Sequence, residues 1–243
     1  MTVGRRAAAI AAAHRAQDRP NPCDSGAVAA VLAGIRRQHG VRPLRRAAPL
    51  ELDPLARMLE PIDISTLGGL RDRALLLLGF AAAMRRSELV ALDVQDLSFD
   101  AARGLLVMVG RSKSDQEQQG APVAVPYAQE SDRCAVRALR RYLDAAAIHR
   151  GPVFRQMRRG DTLTERRLSD QSVALIIKRR ATNAGLPPAL LLGHSLHAGY
   201  ATAAAAAGVE ERKIANVTRH KNLPVLRGYI RAATAFDDVG HVL

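Results

Sequence analysis

Four kinds of side chain in this sequence could act together on a phosphate ester. Arg85 stands three residues before Glu88, just after a long apolar run. A guanidinium at such a turn can grip two oxygens of one phosphate while the carboxylate fixes its pose. An ordinary amphipathic helix end would look the same. Lys113 is one of only four lysines and falls between two apolar segments. A mobile ammonium there can deliver a proton to a leaving oxygen, or it can be a solvated loop tip. His194 and His197 lie three apart, which puts two imidazoles on one helical face. Zinc would need further ligands, and the sequence offers no third or fourth beside them. Tyr229 is either a nucleophile or the edge residue of a helix whose apolar side carries Val225, Leu226 and Ile230.

The charge balance narrows the partner. The chain of 243 residues has 36 basic and 23 acidic side chains, a formal net charge of +13, and all but four of the basic ones are arginine. This surplus of planar, always-charged donors favours a polyanion. Residues 1–50 hold nine arginines against Asp18 and Asp24, which suits an arm that touches phosphates. With 48% apolar residues the chain can build a core. Cys23 and Cys134 make neither a disulfide framework nor a metal-ligand spacing. No stretch approaches eighteen consecutive apolar residues, and the opening MTVGRRAAAIAAAHR lacks a signal-peptide core. The expectation is a cytoplasmic, reduced protein with no membrane segment.

Periodicity supplies the elements that must position these groups. Helices are expected at 2–17 and 26–38, separated by a turn through Pro20–Pro22 and capped by Asp24 or Ser25. Two such helices bury too little to stand alone. Residues 41–49 read as a basic linker. Helices follow near 53–60 and 69–82, then a turn at 84–87 and a short helix over 88–92. The period then changes to two, predicting a hairpin of strands 105–109 and 121–125 around a polar loop at 111–120. Helix 131–147, a basic loop over 155–167, and a helix over 171–184 capped by Ser169 or Asp170 come next. The last helices are expected at 194–207, ended by Gly208, at 210–217, and from Pro224 to about Ala235.

Five segments in this order resemble the tyrosine recombinases, the phage integrase family, from Leu70 to about Phe236. RDRALLLLGFAAAMRRSELVALDVQDL resembles the family's first arginine box, which makes Arg85 the catalytic arginine and Glu88 its orienting partner. VGRSKSDQEQQG matches the hairpin that carries the family's lysine, here Lys113. LLGHSLHAGYATAAAAAG matches the pattern His-x-x-Arg with an aromatic and an Ala-Thr pair, through His194, Tyr200, Ala201 and Thr202. TRHKNLPVLRGYIR supplies the last two: His220, and Tyr229 nine residues later, at the spacing of the family's nucleophile.

The resemblance implies a mainly α fold with a small antiparallel β-sheet. It implies a catalytic domain over 49–243 and, over 1–48, part of a helical core-binding domain with its linker. It also implies duplex DNA as the partner and a homotetramer acting on two duplexes. The tyrosine would attack the phosphate, form a 3'-phosphotyrosyl link and free a 5'-hydroxyl. The link conserves bond energy, so neither metal nor nucleotide cofactor is needed. Arg85 would clamp the phosphate and Lys113 protonate the leaving oxygen. His194 would assist proton transfer from Tyr229, and His220 would donate a hydrogen bond to the phosphate.

Two departures stand out. His197 occupies the position of the family's second clamp arginine. Imidazole is shorter and offers one donor when neutral, so either cleavage is slowed or lost, or His197 works as the imidazolium and favours acid pH. The front end is also short: residues 1–48 resemble only the last helices of the core-binding domain, including GIRRQHG, with the opening helices absent. An inactive DNA-binding remnant of a mobile element is therefore the alternative to an active recombinase.

Overall fold

The computed structural model describes residues 3–39, 48–110, 120–191, 194–220 and 223–234, and divides the chain into compact units at Met1–Arg46 and Ala47–Leu243. Lys113 and the linker after His39 lie outside the described residues. The first unit holds helices α1 (Val3–Ala16) and α2 (Gly26–His39). Neither buries a residue, as expected for two short alanine-rich helices. Their turn is tied by Cys23, whose thiol lies 3.5 Å from the Ala7 carbonyl. Ser25 caps α2 with a 3.4 Å bond from the Val28 amide.

The second unit runs α3 (Leu52–Leu59), α4 (Leu67–Ala81), α5 (Arg86–Ala91), β1 (Leu97–Asp100), β2 (Gly104–Val109), β3 (Ala121–Pro126), α6 (Ala135–Ala145), β4 (Arg155–Arg158), β5 (Thr162–Arg167), α7 (Asp170–Asn183), α8 (Ser195–Ala206), α9 (Glu211–Thr218) and α10 (Leu223–Ala233). It is mainly α with small antiparallel sheets, as the sequence implies. Helix α4 is its axis. The run Ala74–Gly79 is entirely buried because α6 packs on one side and α8 on another. Thr66 caps its start, accepting from the Gly69 amide at 3.0 Å. Buried Asp72 then binds three guanidiniums, Arg71, Arg179 and Arg180, each at 2.7 Å, and so locks α7 to α4. Gly199 lets α8 meet the strand-like segment at Leu50 directly: a Cβ there would sit 2.0 Å from the Leu50 carbonyl oxygen.

Three expectations need correction. The basic stretch 155–167 is a hairpin, β4–β5, rather than a loop. Its arginines sit on both faces, so no apolar alternation betrays it, and left-handed Gly160 and Asp161 (φ 77° and 57°) turn it. A third strand, β1, joins the expected pair along β2. Helix α6 starts at Ala135, because Cys134 is extended (φ −81°, ψ 111°) and cuts off a preceding single turn. Among the described residues, no helix is long and apolar enough to cross a membrane.

Candidate active site

The site forms where α4 runs out. Helix C-termini leave carbonyls without intrahelical donors, and here the chain turns sharply instead of continuing. Ala83 adopts a left-handed φ of 45°, and Met84 folds back to bond the Gly79 carbonyl at 2.9 Å. Arg85 then starts α5 as its N-cap residue. The Ala82 and Ala83 carbonyls therefore point to whatever packs on this turn, and donors from α8 and the end of α9 meet them.

Glu88 is the charged centre. Its carboxylate is fully buried, accepts from the Arg85 amide at 2.9 Å and from Arg85 Nη1 at 2.6 Å, and pairs with Arg219 Nη2 at 2.7 Å. Burial alone would raise its pKa. The Arg219 charge, the Arg85 hydrogen bonds and the Arg85 charge outweigh that, leaving the group below the ordinary carboxylate range. Arg85 keeps 22% of its side chain exposed while it holds the buried Glu88.

His197 lies inward, on the buried face of α8. Its Nδ1 sits 2.6 Å from the Ala83 carbonyl oxygen. A carbonyl only accepts, so Nδ1 carries the proton and Nε2 presents a lone pair in the neutral ring. Burial drives the His197 pKa down to about 3, helped by the positive Arg85 and by His220, against the Ala83 bond and Glu88. The ring is neutral across the physiological range.

His220 follows directly. Its Nδ1 lies 2.7 Å from Thr218 Oγ1, whose own hydroxyl donates to the Ile214 carbonyl at 2.8 Å. His220 Nε2 is left 3.5 Å from His197 Nε2. Burial, then the positive Arg85 and Arg219, lower the His220 pKa. On its other side the ring faces Tyr229, with centroids 6.0 Å apart. Tyr229 is half-buried on α10, which packs through Leu226 on Ala201, Ala205 and Ile214 of α8 and α9.

Arg85, Glu88, His197, His220 and Tyr229 are thus joined in one series of contacts through Arg219 and the Ala83 carbonyl, although they span most of the unit in sequence. His194 sits at the exposed start of α8, one turn before His197. Sequence reasoning missed Arg219. It is the C-cap of α9, with a left-handed φ of 55°, and its Nη atoms reach Ala82, Ala83 and Val217 carbonyls as well as Glu88. The only signal was its place beside His220 in TRHKNL.

The phage integrase family model matches residues 50–235. The chain is similar to an integrase/recombinase XerD homolog of Selenomonas ruminantium, 42% identical over 240 residues, which is 98% of this chain and 70% of that protein. It is also similar to the tyrosine recombinase XerD of Xanthomonas axonopodis pv. citri, 31% identical over 78% of this chain and 61% of that one. Among solved structures, the fold matches the XerA recombinase (TM-score 0.58, 19% identity, 99% of this chain and 78% of that). It also matches the Tn1549 transposon integrase in complex with transposon right end DNA (TM-score 0.63, 14% identity, 96% and 77%). With that match spanning nearly all of the second unit, the chain belongs to the phage integrase family of tyrosine recombinases.

Proposed function

We propose that this chain binds duplex DNA and cleaves one strand through Tyr229, forming a 3'-phosphotyrosyl intermediate, and that a neutral His197 slows the step. The observation that carries this reading is the contact series from Glu88-oriented Arg85 through Arg219 and the Ala83 carbonyl to His197, His220 and Tyr229. It brings a guanidinium, ring nitrogens and a phenol into one site. In this reading Arg85 holds the non-bridging oxygens, His220 donates Nε2–H to the phosphate once the bound anion makes it the imidazolium, His194 takes the proton from Tyr229 and Lys113 serves the leaving oxygen. Relatives named as recombinases support the reaction class. The charge of +13 supports a nucleic-acid partner and, with it, a place at the nucleoid. By family resemblance the working unit is a homotetramer on two duplexes, with residues 1–48 as a partial core-binding domain.

Burial pushes the His197 pKa down to about 3 in the free chain, which favours the slow-cleavage version over the acid-activated one. The limit of slow cleavage is the DNA-binding remnant. Nicked suicide duplexes with a randomised core test the proposal, with denaturing gels to display a covalent protein–DNA band. A band is expected in the parent or in His197→Arg and is lost in Tyr229→Phe. A band that survives Tyr229→Phe removes the nucleophile. No band in either parent or His197→Arg leaves the remnant reading.

A further inference from the structure

We propose that Arg219 is a positioning residue that supplies the second positive charge of the phosphate site, in place of the one His197 lacks. The inference rests on the strand-cleaving reading above.

The charge distribution comes first. Arg85 and buried Glu88 form a close pair and cancel at a distance. His197 adds no charge. Arg219 contacts the same carboxylate from the other side, so the group carries one net positive charge only because Arg219 is there. Arginine stays protonated even where burial opposes it, as it does here.

Placement is the second argument. His197 Nδ1 and Arg219 Nη2 converge on one atom, the Ala83 carbonyl oxygen, at 2.6 and 3.0 Å. Arg219 therefore brings its guanidinium to the turn that position 197 faces, by a route from α9 instead of α8. It does not act as a fork on a ligand. Both Nη atoms are engaged by protein oxygens, and its Nε is buried without a partner. What it can lend the phosphate is field, and it lends hold to Glu88 and hence to Arg85.

The backbone is the third. Position 219 sits at φ 55° and ψ 36°, where glycine is relaxed and a long side chain is not. An arginine held there by four oxygen contacts has a task that glycine could not perform.

The test uses the full chain and inorganic phosphate as probe, read by the ring 15N shifts of His220. Arg219→Gly removes the charge at a backbone angle that suits glycine. Arg219→Gln keeps a polar side chain, and Arg219→Lys keeps the charge. In the parent, the first two should weaken phosphate binding about tenfold or more, with Arg219→Lys within about threefold. In the His197→Arg background, losing Arg219 should cost less than about threefold, because the charge is then supplied from α8. Equal losses in both backgrounds, no loss in the parent, or a lysine as poor as glutamine would overturn the proposal. Arg85→Ala separates the two readings. Phosphate binding that ignores Arg85 defeats the clamp itself, whereas Arg85-dependent binding untouched by Arg219→Gly defeats only the role of Arg219.

Discussion

The Nε2 atoms of His197 and His220 face each other at 3.5 Å, and each ring's Nδ1 is already committed to an oxygen. Two lone pairs at that distance accept one proton between them and resist a second. With Arg85 beside both rings, even the first is unwelcome near neutrality.

Stability should therefore fall on acidification. The His197 pKa is near 6.5 unfolded and about 3 folded, so the unfolded chain binds the extra proton between these values. The contribution is fully present above about pH 6.5 and is lost as pH drops toward 3, at a slope of up to roughly 1.4 kcal/mol per pH unit. Urea denaturation from pH 7 to 4 measures it. His197→Gln, which cannot titrate, should flatten the slope; an unchanged slope would assign it elsewhere.

Arg219→Gly should relieve backbone strain worth about 1 kcal/mol but expose Glu88 to burial with one cation fewer, a loss of about 3 kcal/mol. The expected net is a loss of about 2 kcal/mol. Glu88→Gln should then cost less in the Arg219→Gly chain than in the parent, because the two charges depend on each other. Additive losses in a double-mutant cycle would show that they do not.

His197→Arg should raise the single-turnover rate of covalent adduct formation by roughly 10- to 100-fold, the scale of one restored oxyanion donor. Binding to the same duplex should change by much less. A gain in binding alone would place the new guanidinium on DNA away from the reacting phosphate.

Leu226 is fully buried and joins α10 to a small, alanine-rich cluster apart from the main core. Leu226→Ala should cost about 2–4 kcal/mol locally. Hydrogen exchange should show α10 opening before α4 and α6, with adduct formation falling more than DNA binding. A uniform rise in exchange across the unit would mean that α10 is not a separate step.

Much of the fold was legible because helices in this chain carry their apolar stripes openly. Leu226 and Ile230 marked α10, although Val225 proves exposed there, and the run Leu75–Leu78 marked α4. The β4–β5 hairpin was not legible, since Arg155, Arg158, Arg166 and Arg167 occupy positions where alternation would show. Composition also misled in one respect. Several arginines that read as a surface for phosphates serve backbone carbonyls instead: Arg167 bonds those of Val90 and Leu92, and Arg71 that of Arg155. In the site, order and spacing pointed to Arg85, His197, His220 and Tyr229. Arg219 stayed hidden because its part depends on a left-handed residue that turns its side chain toward carbonyls 136 and 137 positions away.

The meeting point of this site is the carbonyl oxygen of Ala83, an atom that every residue type possesses. Mutation at 83 cannot remove it and can only tilt it. A β-branched residue such as valine would resist the φ of 45° there and swing the oxygen away from both His197 and Arg219 at once. Exchanges among the surrounding side chains leave the anchor standing. The anchor of the site is thus the backbone of an alanine with no chemistry of its own, and a tilt there reaches His197 and Arg219 together.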